Sequence, residues 1–284
     1  VKLIRWRPDV IFMKGGFVCL PVGYSARLLG IPIVLHDSDA HPGLTNRLLA
    51  PFAEKIATGA PLEYYNYQPE RAIYVGIPVS EQFREYSVKE RRLLKAQLGF
   101  DPDRPLVVVT GGGLGAVRIN NSVVKERDLI LKHSSLFLVS GNDQYHELTQ
   151  LKEAPGWRLE PFIHQGMAEV LAASDIVVAR AGATTLLELA SLHKPTIIIP
   201  NGILTAGHQL KNAKVYQDAF AAVVITENEL SVDGVLTKKI VDLLNTPKLR
   251  EELGQNFGKF AKPNSAKQVA KILQTVVSRG KNKK

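Results

Sequence analysis

Residues 175–200, DIVVARAGATTLLELASLHKPTIIIP, constrain the fold more than any other stretch. Ile176, Val177 and Val178 form a β-prone apolar run, and Gly182 allows a tight turn. Residues 183–191 are rich in helix formers, and residues 196–199 are β-prone again before Pro200. Strand, turn, helix and strand at this spacing belong in an open α/β sheet with a helix against one face. Ligands of such sheets sit beyond the carboxyl ends of the strands. That edge carries Arg180, the amides near Gly182, Thr184, Thr185 and, one turn into the helix, Glu188. A helix N-terminus suits a phosphate and a carboxylate suits a ribose diol. An ordinary βαβ turn without a ligand has the same local pattern.

The rest of the chain repeats this alternation. Strands are expected at residues 10–13, 33–35, 56–58 and 73–75, with helices at 22–29 and 46–52 between them. A charged, helix-prone stretch at 80–100 ends in the turn-rich DPDRP, which leads into a second domain. There the strand at 106–109 runs straight into GGGLGA at 111–116, where the backbone can approach a phosphate closely. The spacing is neither GxGxxG nor a P-loop, and close helix–strand packing explains it equally. Further strands are expected at 136–139, 157–160 and 222–225, and helices at 166–173, 232–244, 248–260 and 265–277. After 157–160, Phe162 and Ile163 offer an apolar shelf for a flat base, or simple core packing, with His164 as a polar neighbour. His208, Gln209 and Asn212 lie where a loop enters a helix, and Gln209 can both donate to and accept from a sugar. His36-Asp37-Ser38-Asp39 follows a strand directly, and Asp39 can take a sugar hydroxyl or cap a turn.

Composition narrows the function classes. The 284 residues carry a net charge of +9, and residues 245–284 hold ten Lys or Arg against two Glu. The remainder is nearly balanced, which argues against a nucleic-acid groove and leaves a basic end for an anionic lipid surface or for solvent. Cys19 is the only cysteine, which excludes an intrachain disulfide and a cysteine-based zinc site and suits a reducing cytoplasm. No apolar run is long enough to cross a membrane. The chain begins at Val1 in what reads as the middle of a domain, so an upstream piece is expected.

Taken in order, HDSDAHPGLTN at 36–46, GIPV at 76–79, GGGLGA at 111–116, ARAGATTLLELA at 179–190 and HQLKN at 208–212 resemble the MurG family. These are peripheral-membrane transferases that add N-acetylglucosamine to undecaprenyl-diphosphoryl-N-acetylmuramoyl-pentapeptide. The resemblance covers nearly the whole chain and implies a GT-B architecture of two Rossmann-like domains, the first incomplete here. It implies a partial acceptor and membrane-facing domain at 1–78, a UDP-sugar domain at 79–264, and a terminal helix and basic tail at 265–284 returning to the first. By the same resemblance Glu188 holds the uridine ribose, and Ala183, Thr184, Thr185, Leu186 and Leu187 form the nucleotide-binding turn. Ile163 lies beside uracil, Gly113 near the diphosphate, and Gln209 and Asp39 on the donor sugar. The implied reaction is an inverting transfer in peptidoglycan synthesis at the cytoplasmic face of the membrane. UDP-N-acetylglucosamine is then a substrate, and no cofactor, metal or nucleic acid is implied.

Departures from the family pattern bear on that site. HEQN is replaced by His36-Asp37-Ser38-Asp39, which puts an acid where the family has an amide. The family arginine after the GNPV-like turn is Ser80, and Gly113-Leu114 replace a Ser-Gln pair. The loop that carries the family's candidate general base is expected upstream of Val1, so no catalytic residue is assigned, His36 being the nearest visible candidate. Another GT-B enzyme with a different donor or lipid acceptor, or a noncatalytic UDP-sugar-binding module, fits the same residues.

Overall fold

The computed structural model describes residues 2–112, 116–202 and 207–281. The chain forms two compact units, Val1–Val79 with Lys262–Lys284, and Ser80–Ala261.

The first unit holds a parallel sheet of β1 (Ile11–Met13), β2 (Ile33–Asp37), β3 (Lys55–Thr58) and β4 (Ala72–Tyr74), in that spatial order. β2 is buried along its whole length. Ile33 and Leu35 pack with Ala26 and Leu49 from the helices Cys19–Leu28 and Leu44–Leu49 on one face. Val34 and Ala57 meet Val269, Ile272 and Val276 of the helix Ser265–Lys281 on the other. The period of two along β2 therefore feeds two separate cores, which is why a strand covered on both faces reads as an unbroken apolar run. The helix Cys19–Leu28 starts ahead of residue 22 because Pro21 falls in its first turn, where a missing N–H costs nothing.

The second unit holds six parallel strands: β5 (Leu106–Thr110), β6 (Ser135–Val139), β7 (Trp157–Glu160), β8 (Ile176–Ala179), β9 (Thr196–Ile198) and β10 (Val223–Val224). Their spatial order is β10-β9-β8-β5-β6-β7. Val107, Val109, Leu136, Leu138, Ile176 and Val178 form a core with Ile119, Val123 and Ile130 of the helix Val117–Ile130 and Leu236, Ile240 and Leu243 of the helix Val235–Leu244. The helix Val88–Gln97 starts at a capping box, with Ser87 Oγ accepting from the Glu90 amide and the Glu90 carboxylate from the Ser87 amide. Glu126 ties two helices together. Its buried carboxylate accepts from the Gly234 and Thr237 amides at 3.1 and 2.7 Å, which caps the helix Val235–Leu244 from the side.

Candidate functional site at the strand ends of the second sheet

The order of the second sheet marks one crevice. From β5 the chain steps outward to β6 and β7, then crosses back to place β8 on the other side of β5. Strand order reverses between β5 and β8, and the crevice outside their carboxyl ends is where an open α/β sheet takes a ligand. The helices Val117–Ile130 and Ala183–Ser191 follow those two strands, and neither N-cap residue, Ala116 or Gly182, offers a capping side chain. The first intrahelical bond of the second runs from the Leu186 amide to Gly182 O at 3.0 Å, so the amides of Ala183, Thr184 and Thr185 precede it. Two helix N-termini at one switch point favour an anion.

The expected tight turn at Gly182 is not the reason for that glycine. Its φ of −71° and ψ of 128° suit any residue, and the nearest atom to a Cβ built there is Thr185 Oγ1 at 3.9 Å. What the glycine leaves is room at the helix N-terminus. Gly112, with φ at 76°, does need to be glycine, and its amide donates to Thr110 Oγ1 at 3.2 Å. Gly113 lies outside the described residues.

Glu188 is half-buried on the helix that begins here, and burial alone pushes its carboxyl up to about 7. A carboxylate desolvated with no cation to offset it can be satisfied by hydroxyl donors from a ligand. Thr184 is exposed, and Ala183 and Thr185 are partly so. Leu186 and Leu187 are core side chains, 1% and 4% exposed. They fix the helix on the sheet and leave no side-chain surface for a ligand.

Ile163 follows β7 and is half-buried beside exposed Phe162, whose ring stands edge-on to His164 at 4.9 Å. Gln209, in the helix His208–Asp218 after β9, accepts from the Asn201 amide at 2.9 Å through Oε1, which turns its NH2 group elsewhere. Asn212 is turned into the protein. It is 4% exposed, and its Nδ2 donates to Ala181 O at 3.0 Å, holding the loop after β8 in place. Ile163, residues 183–188 and Gln209 thus share one strand-end edge, with β5 and β6 between the strands that lead to Ile163 and Glu188.

Arg180 is not presented outward as expected. It is 8% exposed, donates to Ile199 O at 3.2 Å and pairs with Glu227 Oε1 at 2.8 Å, out of hydrogen-bond alignment. The other carboxylate oxygen accepts from Arg118 Nη1, also at 2.8 Å. Neither Arg118 nor Glu227 stood out in the sequence, although Arg118 is the second residue of the helix after the glycine loop. The short helix of Glu227 opens with Thr226-x-x-Glu229, a second capping box.

Asp39 belongs to the first unit, beyond the end of β2, and is half-buried. Tyr65 fixes its loop, donating to Asp39 O at 2.7 Å, while the Gly59 amide holds Asp37 O at 2.7 Å. His36 cannot serve as the general base. It is fully buried, and burial pushes its pKa below the ordinary histidine range. Nε2–H donates to Gly76 O at 2.9 Å, and Nδ1 accepts from Ser38 Oγ at 3.2 Å. Beside it, Tyr67 donates to buried Asp37 at 2.6 Å, and burial raises that carboxyl. Among the described residues there is no cluster of His, Cys, Asp and Glu that could hold a metal ion.

A cavity of about 530 Å3 opens at the opposite, N-terminal edge of the second sheet, lined by Tyr86, Arg91, Asp175, His193 and Pro195 among others. It lies away from the switch point, so its size is no guide to the nucleotide edge.

Residues 106–270 match the glycosyltransferase family 28 C-terminal domain, and residues 2–58 match the family 28 N-terminal domain. The UDP-N-acetylglucosamine–N-acetylmuramyl-(pentapeptide) pyrophosphoryl-undecaprenol N-acetylglucosamine transferase of Bacillus licheniformis is 34% identical over 278 residues, 96% of this chain and 75% of the relative. The protein of the same name from Acetivibrio thermocellus is 33% identical over 286 residues, 97% of this chain and 75% of its own. The crystal structure of Acinetobacter baumannii MurG superposes with a TM-score of 0.75 at 24% identity, covering 96% of this chain and 75% of that one.

Proposed function

The chain belongs to glycosyltransferase family 28, with the GT-B fold, and on that premise we propose that it moves N-acetylglucosamine from UDP-N-acetylglucosamine to undecaprenyl-diphosphoryl-N-acetylmuramoyl-pentapeptide. One observation carries the donor half of this reading: half-buried Glu188, with no cation to offset its burial, on one of two uncapped helices at the switch point. Those helix N-termini suit the diphosphate, and the carboxylate suits the ribose diol. In this reading Ile163 lies against uracil, and the NH2 group of Gln209 is left for a sugar hydroxyl. Leu186 and Leu187 act only by seating the helix.

The reaction is a single displacement with inversion. An acceptor hydroxyl attacks the anomeric carbon, the bond from that carbon to the diphosphate oxygen breaks, and UDP departs with the electron pair. Fixed amide dipoles aimed at the leaving diphosphate stabilise charge as it develops, with no reorganisation at the moment of transfer. The hydroxyl proton needs a base, and we assign that role to none of the described residues.

The membrane side of the proposal rests on the first unit and its terminal helix. Phe17, Leu28 and Trp6 are 86%, 87% and 76% exposed, and exposed Lys14 and Arg27 are near them in sequence. Arg27 lies over the Phe52 ring at 5.4 Å, and Tyr24 meets the same ring edge-on, which makes an apolar and basic surface. Lys267, Lys271 and Arg279 are exposed on the terminal helix. Among the described residues no helix is long and apolar enough to cross a membrane. Exposed apolar side chains interspersed along the chain with Lys14 and Arg27 suit attachment to the face of an anionic bilayer, here the cytoplasmic one.

The test is transfer of radiolabelled N-acetylglucosamine to the lipid-linked acceptor, run beside calorimetric titration of UDP-N-acetylglucosamine. Binding with transfer is the expected result. Binding without transfer would reduce the protein to a nucleotide-sugar-binding module, and folded protein that binds no donor would end the proposal.

A further inference from the structure

We propose that Arg118 is the cation that grips the donor diphosphate, held ready for it by Glu227. The inference rests on the nucleotide-sugar reading of the switch-point crevice. Arg118 enters from the first turn of the helix after β5, Arg180 from the loop after β8, and Glu227 from the segment after β10, all at the carboxyl edge of the sheet. The Glu227 carboxylate bridges the two guanidiniums at 2.8 Å each, so it spans the junction where strand order reverses. One carboxylate cannot neutralise two guanidiniums, and a positive charge is left over beside the two uncapped helix N-termini.

The two arginines share that charge unequally. The Arg180 side chain is 9% exposed and is committed to Glu227 and Ile199 O. The Arg118 side chain is 57% exposed, and among the described residues its one partner is Glu227, reached through Nη1. A guanidinium carries five donors in a rigid fork, so most of them stay available for phosphate oxygens. Anchoring by a carboxylate that is itself only 10% exposed sets the direction of the fork before the ligand arrives, which lowers the cost of ordering it.

Other arginines at hand are spent. Position 80 is Ser80, and the next arginine, Arg84, pairs with Glu90 at 2.8 Å, donates to Glu85 O and lies over the Tyr86 ring. The competing explanation is a clamp between helices, since Lys125 and Asp233 form a parallel ion pair farther along the same two segments. A clamp acts on stability and is blind to phosphate.

Titration of UDP and of uridine into the wild type and into Arg118→Gln and Arg118→Lys separates the two. Loss of a charge-assisted phosphate contact should weaken UDP roughly 10- to 100-fold in Arg118→Gln. Uridine binding should be unchanged, and Arg118→Lys should recover part of the UDP affinity. Equal loss for both ligands, or no loss for either, would overturn the assignment, as would a lowered melting temperature with unchanged UDP affinity. A wild type that binds neither ligand would instead overturn the nucleotide-sugar reading beneath it.

Discussion

Replacing Glu188 by Gln should make the second unit more stable at alkaline pH while removing its hold on the nucleoside. A carboxyl moved by burial from its ordinary 4.5 to about 7 holds its proton more tightly in the folded than in the unfolded chain. Its contribution to stability is therefore fully present below pH 4.5 and is lost as pH rises through 7. At 1.36 kcal/mol per tenfold change in proton affinity, the loss comes to about 3 kcal/mol, a ceiling because water reaches part of the group. Glutamine matches the protonated acid in shape and never ionises, so the variant and wild type should be about equally stable at pH 4.5. At pH 8 the variant should be ahead by about 1–3 kcal/mol, a melting shift of roughly 2–10 °C for a unit this size. Paired melts at several pH values cancel every other titrating group. A variant that is less stable at pH 8, or a gap that does not widen with pH, would refute the account of Glu188 as a desolvated carboxylate.

The same ionisation should appear in ligand binding, with the opposite preference. Ribose hydroxyls donate, so the ionised carboxylate is the form that binds. With a pKa near 7, about 10% of it is ionised at pH 6 and about 90% at pH 8, which weakens apparent affinity roughly tenfold at the lower pH. Uridine is the ligand to use, because it lacks the phosphate groups that titrate in this range. In Glu188→Gln both the affinity and its pH dependence should disappear together.

Other perturbations probe the supports of the site. Asn212→Ala leaves the buried Ala181 carbonyl without its donor and should cost about 1–3 kcal/mol, with weaker UDP binding, read by denaturant titration and calorimetry. Gly59→Ala would drive a Cβ into the Ser38 carbonyl, so the first unit should lose stability or fail to fold, while UDP binding by any folded protein should persist. Phe17→Ser and Leu28→Ser remove exposed apolar side chains and should each lower binding to phosphatidylglycerol vesicles roughly tenfold, without altering UDP affinity.

Much of the fold was legible because the parallel strands are covered on both faces. Residues 106–109, 136–139 and 176–178 read as unbroken apolar runs and fall within β5, β6 and β8, and the helix expected at 183–191 has those bounds. Helix starts are legible where a capping box marks them. Ser87-x-x-Glu90 opens a helix inside the helix-prone stretch at 80–100, and Thr226-x-x-Glu229 opens the short helix Glu227–Leu230. Side-chain fates were a different matter. Arg180 follows a strand directly, a position that points to ligand contact, and a carbonyl 19 positions later and a carboxylate 47 positions later turn it inward. His36 has the same strand-end address, and the Gly76 carbonyl, 40 residues on, closes it off. No local pattern encodes either partner.

That difference bears on why Glu188 and Arg118 are the informative residues of the crevice. Arg180 and Asn212 are polar groups at the same edge, and each is satisfied inside the protein by a long-range partner. Satisfied groups stabilise the folded chain and have little left to offer a ligand. Among the described residues nothing compensates the desolvation of Glu188, and Arg118 is anchored at one corner of a fork that can bind at several. A buried carboxylate in that condition lowers stability near neutral pH, and its retention at this edge is explained if hydroxyl donors complete it. The pair of measurements on Glu188→Gln asks for both halves at once. A gain in stability together with a loss of nucleoside binding identifies a group kept for its ligand, whereas a loss of both identifies an ordinary structural carboxylate.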